Sequence, residues 1–361
     1  MRPTDESELA EAVRSGHGRL TIRGGGTRRP WPVTGRVLDT GAITGIVTYE
    51  PGALTLVVRA GTSLAEIETL LRGEGQHLPF EPPDLRGLLG RTGEPTIGGV
   101  AAANASGPRR VQAGACRDYL LGIRLVDGTG TVVRNGGRVM KNVTGYDLVK
   151  LAAGSNGSLG VLTEIALKIL PRPETVATLV IEGLDDAAAV QAMARALGSP
   201  YEVSGAAHWP GQGTFLRVEG FSSQVSYRAR QLQRILGGEI EADAARWPSI
   251  RDVAPFRQAP GDVWRLSVKP TEAPAIVARA GAEAALYDWG GGLVWLRMAE
   301  GTDLRARLGP FSGHATLVRA APDTLARLGV FHPEAPGVAA LARGLRTRFD
   351  PRGLFNPGLP G

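Results

Sequence analysis

The chain has 361 residues, 41 Lys plus Arg against 35 Asp plus Glu, a net charge of +6, and 43% hydrophobic residues. These values exclude a largely disordered chain, and the length implies two domains with room for real cores. The 50 Gly and 25 Pro follow no G-X-Y period, which excludes a collagen-like fibre, and no apolar run is long enough for a membrane span. Met1 to Leu9 lacks the basic and apolar regions of a signal peptide. The single cysteine, Cys116, excludes a disulfide framework, a Cys-based zinc site and a self-contained iron–sulfur cluster. A cytoplasmic protein is expected, with no direct membrane insertion. Only four basic residues are lysines (Lys141, Lys150, Lys168 and Lys269), and the arginines are scattered rather than clustered among aromatics. That distribution argues against a nucleic-acid partner.

In chain order, Asp5 to Val13 reads as a short helix with Thr4 or Asp5 as N-cap. Leu20 to Arg23 is a strand ending in a glycine run, and strands are expected at 36–39, 44–49 and 54–59. Ser63 and Glu66 have the spacing of a capping box for a helix reaching about Leu71. Residues 80–96 read as a Pro/Gly-rich loop. Tyr119 to Val126 and 131–134 make a hairpin across Asp127-Gly128-Thr129-Gly130, with Cys116 at the start of its first strand, and 161–170 adds another strand. After Pro173 the rhythm becomes β-α-β-β-α-β: strand 175–182, helix 185–197, strands 200–207 and 214–219, helix 223–236, strand 238–241. A second set follows at 263–268, 271–280, 284–288, 293–298, 302–308 and 314–319. The two sets imply ferredoxin-like units in one antiparallel sheet.

Three blocks can carry chemistry. In Arg23-Gly24-Gly25-Gly26-Thr27, successive glycines after a strand can turn backbone N–H groups toward one point, a nest for phosphate oxygens. The same run also fits a plain flexible turn. Thr96-Ile97-Gly98-Gly99 opens a segment of small residues that can pass close to a flat ligand, or pack tightly as a helix. Gly145-Tyr146-Asp147 precedes a helix start, where free N–H donors suit an anion. Gly154, Gly157 and Gly160 then lead into a strand at Val161, permitting main-chain contact with a base edge.

In order and spacing these blocks resemble the PCMH-type FAD-binding domain of the vanillyl-alcohol oxidase superfamily, over about residues 1–173, and the tail 349–358 fits too. Within it the chain is similar to the FAD-binding subunits of bacterial glycolate oxidases (glycolate dehydrogenases). Their hallmark resembles residues 137–147, Gly-Arg-Val-Met-Lys-Asn-Val-Thr-Gly-Tyr-Asp, with Gly107-Pro108-Arg109-Arg110 upstream. The resemblance implies an α+β fold: a two-subdomain FAD-binding domain (1–173), a ferredoxin-like antiparallel α/β cap (174–330), and a segment (331–361) returning to the first domain.

The resemblance also implies roles. Gly24, Gly25, Gly26 and Thr27 would hold the FAD pyrophosphate. Thr96, Ile97, Gly98 and Gly99 would line the pyrophosphate and ring side. Gly145, Tyr146 and Asp147 would close over the phosphates and ribityl chain. Gly157, Gly160 and Val161 would approach the adenine, and Asn356 would return to the flavin ring. Covalent members carry His where Thr27 stands, so noncovalent FAD is expected. No metal site is expected: His17, His77, His208, His314 and His332 are isolated in sequence, whereas active D-2-hydroxy-acid dehydrogenases of the superfamily use paired histidines. His208, His314 and Arg109 are the candidates for base or carboxylate clamp, each with an ordinary packing role as the alternative.

The implied function is an accessory flavin subunit of a complex oxidising glycolate or D-lactate. Its partners would be a larger homologous FAD subunit and an iron–sulfur subunit, through which the protein could sit peripherally on the inner membrane. A self-sufficient D-2-hydroxy-acid dehydrogenase and a non-cycling structural flavoprotein are the other readings.

Overall fold

Short amphipathic helices with side-chain caps set the layers of the first half. The computed structural model describes residues 1–28, 35–138 and 145–359. Helix Glu6–Arg14 starts where the Asp5 carboxylate accepts the Glu8 N–H, and it buries Leu9, Ala10 and Val13. Those side chains close a small core with the parallel strands Leu20–Arg23 and Arg36–Asp39 and with Leu354 and Phe355 of the tail. Phe355 extends this small sheet by a parallel bridge to Leu20.

A second subdomain is an antiparallel sheet of five strands in the order Ile46–Glu50, Thr55–Arg59, Val161–Lys168, Leu120–Val126, Val132–Gly136. Helix Leu64–Gly73 packs Ile67 and Leu71 onto it, after Ser63 accepts the Glu66 N–H as N-cap. Helix Ile97–Ala102 adds Ile97, Val100 and Ala101 to the same core.

Beyond Pro173 lies one eight-stranded antiparallel sheet. Its order is Glu239–Glu241, Thr175–Ile181, Gly213–Gly220, Gly205–Trp209, Ala284–Asp288, Leu293–Met298, Asp262–Val268, Gly313–Arg319. The two β-α-β-β-α-β units meet at a single ladder pair, His208 with Tyr287. Helices Asp186–Leu197, Ser222–Leu236 and Ala273–Ala280 cover one face with the main apolar core. The opposite face packs Val263, Leu286, Leu293 and Trp295 against Leu88 of the first half and against Val253 and Phe256. Among the described residues no helix is long and apolar enough to cross a membrane.

Three local expectations shift. Residues 200–204 are not strand, because Glu202 takes a left-handed φ of 48° that breaks the extended run, and the strand begins at Gly205. Cys116 does not start a strand. It opens a 3₁₀ turn, Cys116–Tyr119, pinned by the Asp118 carboxylate accepting the Ala115 N–H, and the strand begins at Leu120. The loop 80–96 contains a helical turn, Arg86–Leu89.

Candidate functional site

A cavity of about 560 Å³ opens where the parallel strands end. Gly24 and Thr40, each following one of the paired strands, both line it, as ligands commonly meet parallel strands at their carboxyl ends. Ala60, at the end of Thr55–Arg59, joins them. Gly24, Gly25, Gly26, Thr27, Thr96, Gly98, Gly99, Gly157, Gly160 and Val161 all lie on its wall, so the structure gathers ten sequence-expected residues from three separate blocks.

The glycine loop has the character of an anion nest. The backbone N–H groups of Gly24, Gly25, Gly26 and Thr27 take no hydrogen-bond partner among the described residues. Four successive free donors at one cavity wall suit phosphate oxygens. A side chain could not be added here: a Cβ on Gly25 would lie 1.6 Å from the Glu94 carbonyl oxygen, and one on Gly93 would lie 1.9 Å from that of Gly25. The loop and the 93–96 segment are backbone against backbone.

The second block behaves differently. Ile97 N donates to Thr62 O at 3.0 Å, Gly98 N to Ala60 O at 2.8 Å, and Gly99 N to Thr96 Oγ1 at 3.3 Å. The helix start therefore presents its bare surface to the cavity rather than its donors. Ile97 itself points into the core. At the other wall, Asn356 does not line the cavity but holds it: its Oδ1 accepts the Ile22 N–H at 2.8 Å and its Nδ2 donates to Asn156 O at 2.6 Å.

The third block supplies less than its sequence promises. Gly145, Tyr146 and Asp147 are absent from the cavity wall, and Tyr146 is 89% exposed. The donors of the following helix are already taken. Asn135 Oδ1 accepts the N–H groups of Leu148 and Val149, and Asp147 Oδ1 accepts that of Lys150. The first turn of this helix is thus capped by side chains, while the N–H groups of Gly145, Tyr146 and Asp147 before it take no hydrogen-bond partner among the described residues. Residues 139–144 of the hallmark lie outside the described residues.

The catalytic candidates stand away from the cavity. His208 is buried on the helix-covered face of the cap, its Nδ1 2.9 Å from Thr214 Oγ1 and its Nε2 3.3 Å from Asp186 Oδ1, out of line for a hydrogen bond. Tyr287 Oη donates to the same carboxylate at 2.6 Å. His314 is exposed at the start of the edge strand Gly313–Arg319. Arg109 is no free clamp. Its guanidinium meets Glu219 at 2.8 Å, Glu219 lies 3.4 Å from Arg217, and Arg217 grips Glu81 through two hydrogen bonds of 3.0 and 2.9 Å. This buried chain of charges ties the first half to the cap. Arg110 stacks on Trp289, with its guanidinium carbon 4.4 Å from the ring centroid.

Burial pushes the Cys116 thiol up to about 12, so it is neither a thiolate nor on the cavity. Burial, with Arg109 adding to it, holds His77 down near 4. Among the described residues no three His, Cys, Asp or Glu side chains gather as a metal site. Sequence reasoning left out Arg91 and Thr92 of the wall; the Gly25–Gly93 backbone approach brings them in, and no local pattern marks it.

Comparison with known proteins is consistent with this geometry. Residues 1–136 match a family model described as an FAD binding domain. The glycolate oxidase subunit GlcE of Escherichia coli (strain K12) is 40% identical over 329 residues, covering 91% of this chain and 87% of that protein. The glycolate oxidase subunit GlcD of Bacillus subtilis (strain 168) is 34% identical over 145 residues, 40% of this chain and 29% of that protein. An alkyldihydroxyacetonephosphate synthase structure superposes with a TM-score of 0.69 at 16% identity, over 98% of this chain and 75% of that one, which shows a shared fold.

Proposed function

Because the chain belongs to the family of the glycolate oxidase subunit GlcE, within the FAD-dependent oxidoreductases, we propose that it is the accessory flavin subunit of a complex oxidising glycolate, or the close relative D-lactate, to the 2-oxo acid. The observation that carries this reading is the row of four free N–H donors, Gly24 to Thr27, on a cavity large enough for an extended cofactor. They would hold the pyrophosphate. Thr96, Gly98 and Gly99 would give the cofactor a side-chain-free surface, with Ile97 packing the helix beneath. Gly157, Gly160 and Val161 would meet the adenine through main chain, and Asn356 would position that wall. Gly145, Tyr146 and Asp147 would act only from outside the cavity. Bound flavin supplies two-electron oxidation chemistry, and the protein supplies its seat and its electrostatics.

In this reading residues 1–173 form the FAD domain, 174–330 the cap, and 331–361 the segment that closes back on the first domain. FAD is held noncovalently, since Thr27 offers no attachment atom of the histidine kind. The accessory role is supported by the placement of His208, hydrogen-bonded to Thr214, and of Arg109, paired with Glu219, both away from the cavity. Electrons would pass through a larger homologous flavin subunit to an iron–sulfur subunit. The complex would be cytoplasmic, resting on the inner membrane through its partners.

The test is a visible spectrum of the purified chain, followed by glycolate or D-lactate without oxygen. Bound flavin that stays oxidised until the partner subunits are added supports the accessory role. Bleaching in the chain alone would make it a dehydrogenase in its own right. Failure to take up FAD would overturn the cavity assignment.

A further inference from the structure

Not every guanidinium in the seam between the halves is neutralised. Arg109 has Glu219 and Arg217 has Glu81. Arg110, in the short helix Arg110–Ala113 of the first half, and Arg265, on the strand Asp262–Val268 of the cap, have no ion pair and no side-chain hydrogen bond among the described residues. Both lie against the ring of Trp289, their guanidinium carbons 4.4 and 5.3 Å from its centroid. The Trp289 indole N–H donates to Gly107 O at 3.0 Å, so this ring is itself fixed across the seam.

The nearby carboxyl groups do not balance the pair. Asp118, whose field reaches Arg110, accepts the Ala115 N–H at 2.9 Å and lies 3.8 Å from Arg117. Asp288, whose field reaches Arg265, accepts the Trp289 N–H at 2.7 Å, and burial pushes its carboxyl up to about 7. It is therefore close to half-protonated at neutral pH. Burial, with Arg110 adding to it, pulls the Arg265 guanidinium down to about 10, so it remains charged. Two cations held on one indole without an anion repel each other in a place where water screens them poorly. Arg110, Arg265 and Trp289 all keep partial exposure, so a small solute can reach them, and none of the three lines the glycine cavity.

The surroundings say what kind of anion fits. Arg265 stands opposite Trp295 on one neighbouring strand and Thr316 on the other, on the sheet face away from the helices. Trp209, Trp289 and Trp295 share one apolar cluster there. A wall of indoles suits a carbon skeleton, whereas an inorganic phosphate would lose hydration that the rings cannot replace. Guanidinium forks match a carboxylate.

We propose that Arg110 and Arg265 take the carboxylate of a small organic acid between them, beside Trp289, and that the bound acid ties the cap to the first half. The inference goes beyond the FAD reading and does not rest on it. No electron or proton moves in this step.

The test is calorimetric titration of the purified chain with D-lactate and, separately, with inorganic phosphate, together with Tm at the same concentrations, for the parent, Arg110→Met and Arg265→Met. FAD content, read from visible absorbance, tests the cofactor assignment separately. The parent should bind D-lactate more tightly than phosphate, and its Tm should rise as the acid is added. Either Met variant should weaken D-lactate binding by about tenfold or more, the scale of losing one charged hydrogen-bond partner, and remove the rise in Tm, with FAD content unchanged. A parent that takes up no D-lactate would overturn the proposal. So would phosphate binding as tight as D-lactate, or variants that bind like the parent. Loss of flavin together with loss of acid binding would also overturn it, because the arginines would then serve the cofactor. If Arg265→Met does not fold, Arg110→Met decides alone, since that change strands no partner.

Discussion

At the cavity, two backbones meet because side chains are missing; at the seam between the halves, two surfaces meet because long charged side chains reach across. Gly25 and Gly93 approach until neither has room for a methyl group. Arg109, Glu219, Arg217 and Glu81 bridge residues 110 and 136 positions apart with two buried guanidiniums and their carboxylates. Burial alone would lower the Arg217 guanidinium, but Glu81 and Glu219 more than offset this and leave it raised. The contrast separates shape from charge. The cavity is specified by what cannot be added, and the seam by what cannot be removed.

Three substitutions sharpen that comparison. The largest effect should come from Gly25→Ala, whose new Cβ would overlap the Glu94 carbonyl. We expect protein without flavin, read as loss of visible absorbance after purification with added FAD; normal flavin content would show that the loop can move away at little cost. Next is Arg217→Met, which takes from Glu81 its guanidinium partner and leaves Glu219 to Arg109 alone. Removing one partner of a buried ion pair costs about 3–5 kcal/mol, to be read by urea unfolding, with the flavin site less affected than by the glycine change. A loss near zero would mean that the seam is wetter than the buried pairs indicate.

The smallest effect concerns pH. His77 is held near 4 in the folded chain, below the ordinary histidine value of 6.5, by burial and by Arg109. Between those two values the unfolded chain binds a proton that the folded chain refuses, so stability falls as pH drops from 6.5 toward 4. His77→Gln should flatten that part of the acid profile while leaving stability at pH 8 nearly unchanged. An identical slope in parent and variant would show that His77 is not among the groups responsible.

The cavity was legible in the sequence and the seam was not, for the same physical reason. A glycine run records a local demand, that backbone must come close or turn without a Cβ, and Gly24 to Gly26 record it in three adjacent letters. The unbroken apolar runs of 179–181 and 293–296 likewise record strands that are covered on both faces. An arginine records nothing about its partner. Arg109 and His208 offered themselves equally well as catalytic groups, and only the fold shows one tied to Glu219 and the other set beside Asp186. The helix start after Tyr146 and Asp147 shows the same limit: Asn135, on a strand eleven residues before Tyr146, caps its first N–H groups from the side, and no sequence pattern marks that contact.

Asn356 gives the wall of the cavity a place in time as well as in space. Its hydrogen bond to Ile22 spans 334 residues, and Leu20 and Phe355 close the first small sheet across nearly the same separation. A chain emerging from the ribosome therefore completes every strand of the cap before the segment that finishes its first subdomain is made. Until then the strand leading into the glycine loop lacks the Asn356 bridge that joins Ile22 to Asn156. The flavin should accordingly be captured after synthesis rather than during it, once the last strand bridge of the first subdomain is in place.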